Sequence, residues 1–398
     1  MSAESSGQNA RVTRVPGAVE ALDAPVSPEQ VRAFLPRLSR ALAGGAPLMT
    51  VPASGVERDG LLAGLGRGAV PWDTALVVPT SGSTGAPRLA VLSRAALATS
   101  ADLTHRALGG PGRWLLALPT TRIAGLQVLV RSLRAGLDPA VVDGSEPFTA
   151  GRFAAAVAAM DVSASEHPHY TALVPTQLQR LIDDGEGTEA LWQLDAVLVG
   201  GAAVSAALLE RARDAGVTVV RTYGMTETCG GCVYDGVSLD GVSVDIDDDG
   251  RIRLRGPVLF DGYVGDSDVI VDGGWFTTTD VGRFDDGVLH VEGRVDNVIV
   301  SGAAKVPAES VERVLLGLAY VDDVVVIGVP DSEWGERVVA VVTATSDVDL
   351  HVVRTDVRAE LPAQWLPRDV VRVDALPRLE SGKPDRDVVR RIVADLTR

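Results

Sequence analysis

The sequence has 398 residues, more than one typical hydrophobic core holds, so two domains are expected. Apolar residues make up 46% of the chain, which is enough to build a sizeable core. The formal net charge of −16 argues against a nucleic-acid-binding surface, because such surfaces need stripes of Lys and Arg. To bind an anionic substrate, the protein would therefore need Lys or Arg side chains at the binding site that offset its overall negative charge.

The first 25 residues are polar, which predicts a loose segment, and they lack the apolar stretch of a signal peptide. No run approaches the roughly 18 apolar residues of a membrane span. The two cysteines, Cys229 and Cys232, are too few for a disulfide framework. These features predict a cytoplasmic protein without a membrane span.

The first two hundred residues show alternating strand and helix patterns. A helix is predicted from Ser27 to Gly44 and Gly45, because Ser favours the N-cap and Gly favours the end of a helix. Strand and helix patterns then follow one another as far as Arg221. This rhythm predicts parallel sheets covered by helices.

The pattern changes after Cys232, where short alternating runs are separated by turns such as Asp285-Asp286-Gly287. These runs predict antiparallel hairpins in a β-rich part over about 233–293. A second change falls near 293–297, and the roughly hundred residues beyond it suffice for a small α+β domain. We therefore expect an α/β chain with a large domain over 1–295 and a smaller C-terminal domain over 297–398.

One loop of small residues lies between two apolar runs and reads Thr80-Ser81-Gly82-Ser83-Thr84-Gly85. Its two glycines can adopt positive φ, and successive backbone N–H groups can then form a concave site for a polyphosphate. The GxxxxGK[ST] pattern of a Walker A loop is absent. On composition alone, an ordinary surface turn stays open as the alternative.

Four further stretches carry residue types suited to nucleotide binding. Tyr223-Gly224-Met225-Thr226-Glu227-Thr228 follows a predicted strand, and a Glu there suits Mg²⁺, which prefers carboxylate and phosphate oxygens. Thr277-Thr278-Thr279-Asp280 ends in an acceptor for sugar hydroxyls. The other two are Gly293-Arg294-Val295-Asp296-Asn297 and Glu380-Ser381-Gly382-Lys383-Pro384-Asp385-Arg386. Taken singly, each is also typical of a turn or an exposed surface charge.

Together and in this order, the five stretches resemble the adenylate-forming superfamily of acyl-CoA synthetases, peptide-synthetase adenylation domains and luciferases. The resemblance covers about residues 75–386. It implies that the chain binds ATP with Mg²⁺ and activates a carboxylic acid as an acyl-adenylate. It also implies that the C-terminal domain is mobile and rotates about a hinge at Asp296 to admit the thiol of coenzyme A.

The resemblance implies roles for individual residues. The loop holding the β- and γ-phosphates would consist of Thr80, Ser81, Gly82, Ser83, Thr84 and Gly85. The adenine side would be formed by Gly200, Gly201, Ala202, Tyr223 and Gly224, with the Tyr223 ring stacked on the base. Thr226 would contact the α-phosphate, Glu227 would bind Mg²⁺, and Asp280 with its partner Arg294 would hold the ribose. Lys383 would be the catalytic lysine of adenylation.

These roles suit the chemistry, because adenylation brings a carboxylate onto the negatively charged α-phosphate. Catalysis is therefore expected to rest on positioning and on charge neutralisation by Mg²⁺ and a cation. Lys383 lies on the smaller domain, so that domain must close to deliver its charge. The same lysine can then be withdrawn for the second half-reaction.

The chain departs from the family pattern in three places. Arg88 stands where Lys is usual, and a guanidinium keeps the charge but changes the geometry. Gly302-Ala303-Ala304 replaces a Gly-Gly pair, and the Ala303 methyl could narrow the channel for the CoA thiol. The phosphate loop also begins near residue 80, without the long N-terminal lobe of most members. This compactness is most like the o-succinylbenzoate–CoA ligases of menaquinone biosynthesis, as in actinobacteria.

The substrate side is predicted from the stretch over 118–127 and from the CxxC segment. o-Succinylbenzoate has a second, aromatic carboxylate, to which Arg122, near Gly125, could give a bidentate contact. A rim arginine with a solvated head is the alternative. The resemblance implies that Gly200 and Gly230 lie at the acyl pocket. For Gly230, the family places acyl-pocket backbone directly after the Thr226-Glu227 motif, where Cys229-Gly230-Gly231-Cys232 stands. The CxxC spacing also suits redox or zinc chemistry, although no second ligand pair is present.

The sequence thus predicts an ATP-dependent acid–CoA ligase that activates o-succinylbenzoate. One alternative is adenylation of another aryl or alkyl acid, with transfer to CoA or to a carrier protein. Another is a non-catalytic ligand sensor on the same scaffold, which would not need the transition-state lysine. The expected partners are the acid, ATP and CoA, without nucleic acid, and a homodimer stays open.

Overall fold

The structure is a computed structural model of the chain. It describes residues 19–66, 68–80, 88–160, 162, 166–266, 269, 273–344, 348–378 and 384–396. Within those ranges, none of the helices has the length and apolarity needed to cross a membrane.

The first sheet carries the strands on either side of the predicted phosphate loop. Its strands, in the spatial order β1-β2-β3-β4, are β1 (Glu20–Asp23), β2 (Leu48–Val51), β3 (Thr74–Pro79) and β4 (Leu89–Ser93). Its helices are α1 (Pro28–Leu42), α2 (Val56–Leu65) and α3 (Arg94–Ala107). The predicted cap of α1 is confirmed, since the Ser27 side chain accepts from the backbone N–H of Gln30. β1 corrects the expectation of a loose segment, because these four residues pair in parallel with the buried β2.

The second sheet places the ends of its strands at the candidate site. Its strands are β5 (Arg113–Leu116), β6 (Ala140–Val141), β7 (His169–Leu173), β8 (Ala196–Val199), β9 (Val219–Met225), β10 (Gly230–Tyr234) and β11 (Val237–Ser238). Its helices are α4 (Ile123–Ala135), α5 (Ala150–Ala158), α6 (Pro175–Ile182), α7 (Gly185–Leu191) and α8 (Ala206–Asp214). The spatial order is β11-β10-β9-β8-β7-β5-β6. β5 to β9 pair in parallel as predicted, whereas β10 and β11 turn back antiparallel.

The third sheet is antiparallel throughout, as the turn-separated runs predict. It consists of β12 (Ser243–Ile246), β13 (Arg251–Arg255), β14 (Phe276–Asp285) and β15 (Val288–Arg294), in that order. Residues between β13 and β14 also extend the first sheet. The N–H of Val91 donates to the carbonyl of Gly262, and the N–H of Asp261 donates to the carbonyl of Val91, each at 2.9 Å. In particular, the N–H of Val264 donates to the carbonyl of Leu89, and Ala90 forms a bridge with Tyr263. This pairing joins β4 to the segment over 261–264.

The C-terminal residues form an α+β unit with buried apolar clusters of their own. Its elements are β16 (Val298–Ser301), β17 (Ala304–Pro307), α9 (Ala308–Leu315), β18 (Val321–Asp331), β19 (Gly335–Ala344), α10 (Leu350–Val357), β20 (Asp369–Arg372) and α11 (Arg386–Leu396). The strands pair in the order β17-β16-β19-β18, and β20 adds to β19 in parallel. The predicted fold class, a large α/β part with a β-rich portion followed by a smaller α+β part, is confirmed.

Candidate active site

The base of the predicted phosphate loop is closed by a backbone contact. The N–H of Thr80 donates to the carbonyl of Arg88 at 2.8 Å, continuing the antiparallel pairing of β3 and β4. The predicted phosphate ligands Ser81, Gly82, Ser83, Thr84 and Gly85 lie outside the described residues. The two ends of this loop, Thr80 and Arg88, therefore lie next to each other at the ends of the paired strands β3 and β4.

The predicted metal ligand Glu227 lies in a short 3₁₀ turn, Thr226–Thr228, directly after β9. Its side chain is buried at 9% exposure, and Oε1 accepts a hydrogen bond from the Tyr263 hydroxyl at 2.6 Å. Its backbone carbonyl accepts from the N–H of Phe260 at 2.9 Å. The segment over 260–263 thus holds this glutamate by both its main chain and its side chain.

Arg88 completes this cluster from the other side. Its guanidinium carbon lies 3.5 Å from the centre of the Tyr263 ring, and Nη2 lies 3.4 Å from Oδ2 of Asp266. Arg88 departs from the family pattern and is visible in the sequence, whereas Tyr263 and Asp266 lie outside the motifs that the sequence shows. A planar guanidinium can lie flat on a tyrosine ring, whereas an ammonium group cannot stack in that way.

The predicted nucleoside residues also come together. The Tyr223 hydroxyl donates to Oδ2 of Asp280 at 2.8 Å, and Asp280 lies opposite Arg294 in the pairing of β14 with β15. Burial and the neighbouring Asp280 carboxylate raise the pKa of Tyr223 well above its ordinary value. Arg294 in turn donates to Asp296 at 3.1 Å, in the turn where the hinge is predicted.

The glycines of the adenine-side segment are required by close packing at the ends of β8, β9 and β10. A Cβ on Gly200 would lie 2.4 Å from Oγ1 of Thr222, and one on Gly224 would lie 2.1 Å from the carbonyl oxygen of Gly230. Gly201 has a φ of +81°, a conformation that favours glycine, and Ala202 beside it is exposed. Larger residues at 200 and 224 would push these strand ends apart.

On the substrate side, the structure gives Arg122 a partner. Its Nη2 lies 3.0 Å from Oε1 of Glu57 in α2, and both side chains are about one quarter exposed, at 24% and 26%. Gly125 follows in the first turn of α4, where a Cβ would lie 2.3 Å from the carbonyl oxygen of Pro119. Arg122 therefore lies in an ion pair near the start of α4.

Arg131 of α4 is buried at 3% exposure and was not among the site residues expected from the sequence. Its guanidinium carbon lies 4.9 Å from the centre of the Trp114 ring, and Nη2 lies 4.0 Å from the position that a Cβ on Gly230 would occupy. Its Nε has no hydrogen-bond partner, and no acidic side chain pairs with it, among the residues that the structure describes. Burial lowers the pKa of Arg131 from its ordinary value.

A signal for Arg131 exists in the sequence, because the charge interrupts the apolar run of Val128, Leu129 and Val130. Arginine is rarely fully buried unless it is paired. An arginine on the buried face of a predicted helix is therefore a functional candidate. The helix boundary alone did not show which face of α4 is buried.

The backbone of the CxxC segment, Cys229 to Cys232, lies close to Arg131. The Gln127 side chain donates to the carbonyl of Cys229 at 2.7 Å, and the Ser100 hydroxyl donates to the same oxygen at 3.0 Å. Both cysteines are buried and free of disulfide bonds, and burial raises the pKa of the Cys232 thiol to about 12. Buried thiols with raised pKa values are unreactive, which supports a packing role for Cys229 and Cys232.

Lys383 lies outside the described residues, but the chain on either side of its segment is held together. Arg378 and Pro384 form an antiparallel bridge, and the N–H of Asp385 donates to the carbonyl of Pro377 at 2.9 Å. The residues that flank the segment with the predicted catalytic lysine are therefore paired with each other in the C-terminal unit.

The donor set around Glu227 fits Mg²⁺ and does not fit a metal held by protein ligands alone. The described residues contain no group of three or more His, Cys, Asp or Glu side chains able to bind a metal. Mg²⁺ commonly binds through one or two carboxylates together with substrate phosphates and water. A single buried carboxylate near the end of the predicted phosphate loop is such an arrangement.

Comparison with known proteins agrees with this geometry. The AMP-binding enzyme family profile matches residues 56–264, and the profile of the AMP-binding enzyme C-terminal domain matches residues 310–383. The chain is 42% identical over 373 residues to the probable 2-succinylbenzoate–CoA ligase of Mycobacterium tuberculosis, covering 91% of this chain and 96% of the relative.

Two solved structures show the same fold. Wild-type E. coli MenE, with a bound m-phenylether-linked analogue of OSB-AMS, superposes with a TM-score of 0.71 at 26% identity, covering 95% of this chain and 89% of that one. The o-succinylbenzoate coenzyme A synthetase of Bacillus subtilis, in complex with ATP and magnesium ion, gives 0.70 at 24% identity, covering 89% and 81%. The matched profiles and the relative of similar length place this chain in the AMP-binding enzyme family.

Proposed function

We propose that this chain is an AMP-forming acid–thiol ligase that activates 2-succinylbenzoate with ATP and Mg²⁺ and transfers the acyl group to coenzyme A. Its relative of nearly equal length bears the name of that activity, and the Bacillus subtilis neighbour binds ATP and magnesium ion. Such a ligase serves menaquinone biosynthesis. The two free, buried cysteines suit a cytoplasmic enzyme.

The observation that carries the substrate assignment is the buried charge of Arg131, which no acidic side chain balances within the described part of the chain. An arginine keeps its charge under all ordinary conditions, and a buried charge is costly unless an opposite charge pairs with it. The ring of Trp114, 4.9 Å from the guanidinium carbon, supplies only part of that compensation. A second carboxylate on the substrate would supply the rest through a bidentate contact.

2-Succinylbenzoate has this second carboxylate. Its aliphatic carboxylate is the one activated, so its aromatic carboxylate must be bound elsewhere in the pocket. We assign that contact to Arg131 and not to Arg122, because Glu57 already balances the charge of Arg122. Gly230 closely follows the Glu227 turn in the sequence, and a Cβ on it would lie 4.0 Å from Nη2 of Arg131, which brings this guanidinium near the turn proposed to bind the metal.

The remaining residues take the roles that the resemblance implies. Glu227 would hold Mg²⁺, which neutralises phosphate charge when bound. Thr226 would contact the α-phosphate, residues 80–85 would hold the departing pyrophosphate, and Lys383 would neutralise charge as the carboxylate attacks. The domain over 297–398 would close on the domain over 1–295 about Asp296, and then rotate for thioester formation.

The departure from the family pattern at Ala303 lies in an exposed turn of the C-terminal unit. Ala303 is exposed in the turn between β16 and β17, where the preceding Gly302 adopts a φ of +62°. The N–H of Gly302 donates a hydrogen bond to the carbonyl of Trp334 at 2.7 Å. The Ala303 methyl therefore points away from a packed core, and CoA stays the proposed acceptor.

The test is a panel of acids with pyrophosphate release as the readout. We expect release to be fastest with 2-succinylbenzoate, slower with 4-oxo-4-phenylbutanoate, which lacks only the aromatic carboxylate, and slowest with benzoate and medium-chain fatty acids. Equal rates for the first two acids would overturn the substrate assignment. Thioester formation on a phosphopantetheinyl carrier but not on free CoA would assign the chain to the carrier-loading alternative.

A further inference from the structure

Tyr263 is the only described residue whose side chain is seen to hold the Glu227 carboxylate, and it is not one of the residues to which the resemblance gives a role. The phenol donates to Oε1 of Glu227 at 2.6 Å, and the tyrosine is itself buried at 8% exposure. Carboxylates that bind metals are commonly oriented by such an outer hydrogen-bond donor. The contact leaves Oε2 as the oxygen available to a cation.

The Tyr263 ring is fixed from two directions. Phe260 packs against it edge to face, with 4.9 Å between ring centres, and the guanidinium carbon of Arg88 lies over the ring at 3.5 Å from its centre. Asp266 lies 3.4 Å from Arg88 on the exposed side, which holds the guanidinium over the ring. The backbone of Tyr263 is also fixed, because its N–H donates to the carbonyl of Asp266 at 2.7 Å and Asp266 donates back at 2.9 Å.

These contacts connect two parts of the nucleotide site that lie far apart in the sequence. Arg88 immediately precedes β4 at the exit of the phosphate loop, and Glu227 follows β9. The series of side-chain contacts Arg88–Tyr263–Glu227 therefore links two expected binding groups. It begins beside the segment expected to hold the β- and γ-phosphates and ends at the carboxylate expected to bind their metal ion. Each of its members is a described residue, and each contact is direct.

We propose that Tyr263 is a positioning residue for the metal-binding carboxylate of Glu227, and that Arg88, stacked on the Tyr263 ring, holds the phenol in place. This inference rests on the proposed function, because it takes Glu227 as the Mg²⁺ ligand. It explains the departure at Arg88: a lysine would keep the positive charge but would lose the flat contact with the ring. It gives Tyr263 no direct contact with substrate.

The experiment measures binding of a non-hydrolysable ATP analogue by calorimetry, with Mg²⁺ and with EDTA. The ratio of the two affinities reports the contribution of the metal contact without any turnover. Tyr263→Phe removes only the hydroxyl, and we expect it to reduce this ratio by about 10- to 100-fold, the usual loss for an outer-shell partner of a metal ligand. The affinity measured in EDTA should stay unchanged.

Matched variants separate this role from a structural one. Arg88→Lys should reduce the same ratio by a smaller factor, because it keeps the charge and loses the stacking. Tyr320→Phe removes a phenol that donates to Asp356 at 2.8 Å in the C-terminal unit, and it should leave the ratio unchanged. Thermal denaturation of each variant shows whether it is folded under the conditions of the assay.

The outcomes distinguish this inference from the proposed function. If Glu227→Gln abolishes the effect of Mg²⁺ but Tyr263→Phe keeps the wild-type ratio, the role of Tyr263 is wrong and Glu227 stays the metal ligand. If the wild-type protein binds the analogue equally with Mg²⁺ and with EDTA, the proposed metal site itself is wrong. A loss of affinity in EDTA as large as that in Mg²⁺ for Tyr263→Phe would show a packing role instead.

Discussion

The hydroxyl of Tyr223 donates to Oδ2 of Asp280 at 2.8 Å, joining the end of β9 to β14 across 57 residues of sequence. The contact fixes the tyrosine ring, which is proposed to stack on adenine, relative to the carboxylate proposed to bind the ribose. Burial and the Asp280 charge raise the pKa of Tyr223, so the phenol stays protonated and remains a donor at neutral pH. One hydrogen bond thus joins the two residues of the proposed nucleoside site.

We predict that Tyr223→Phe raises the KM for ATP about fivefold and leaves the KM for the acid unchanged. The ring that stacks on adenine is kept, while the hydrogen bond that positions the Asp280 carboxylate is lost. Because this bond acts on ATP only through Asp280, the expected loss is about 1 kcal/mol, below the roughly 1.5–3 kcal/mol of a direct hydrogen bond to a charged group. Steady-state kinetics with pyrophosphate release measure both constants. An increase in the KM of the acid equal to that of ATP would show a general distortion of the second sheet.

The proposed carboxylate contact of Arg131 predicts a loss that depends on the substrate. Arg131→Leu should lower kcat/KM for 2-succinylbenzoate by roughly 10- to 100-fold, the loss expected for a charge-assisted contact of about 1.5–3 kcal/mol. The value for 4-oxo-4-phenylbutanoate should stay nearly constant, because that acid has no aromatic carboxylate. Arg131→Lys keeps the charge without the bidentate fork, so an intermediate loss is expected.

The comparison of the two acids controls for damage to the fold. Equal losses for both would contradict the contact and would indicate that Arg131 only packs against Trp114. Arg122→Ala, at the N-cap of the same helix, is the matched variant. If Arg122→Ala, and not Arg131→Leu, separates the two acids, the original assignment from the sequence holds.

The types and order of the sheets could be predicted from the sequence, because they depend on local patterns, whereas the roles of the motif residues stay predictions. Contacts between residues far apart in the sequence, such as Tyr223 with Asp280 or Tyr263 with Glu227, could not be predicted. They depend on how distant segments pack together in the fold. β1 was missed for the same reason: its four residues are defined by pairing with β2 and not by their own periodicity. Arg131 was missed because the buried face of α4 is set by the neighbouring sheet.

The proposed role of Lys383 predicts that the two half-reactions respond differently to its removal. Lys383→Ala should lower the rate of adenylation by orders of magnitude, because no other cation is expected at the attacking carboxylate. Thioester formation from supplied acyl-adenylate and CoA should proceed nearly as in the wild type. Single-turnover measurements of each step test this, and equal losses in both would contradict the proposed domain rotation.

A last prediction concerns Glu312 of α9, whose Oε1 lies 2.7 Å from Nη2 of Arg386, the first residue of α11. The Glu312 side chain is 13% exposed, and burial raises its pKa to about 7 despite the neighbouring Arg386 charge. The folded chain therefore keeps a proton on Glu312 at pH values where the unfolded chain has lost it. By linkage, this proton stabilises the fold most at low pH, and its contribution is lost as the pH rises through about 7.

Glu312→Gln removes this titration and keeps the shape of the side chain. The difference in the free energy of unfolding, wild type minus variant, should fall steadily between about pH 5 and pH 8 and then level off, because other groups titrate equally in both proteins. Urea denaturation at several pH values measures that difference. A difference that is constant with pH would mean that Glu312 is ionised in the folded protein throughout this range, and that Arg386 fully balances its charge.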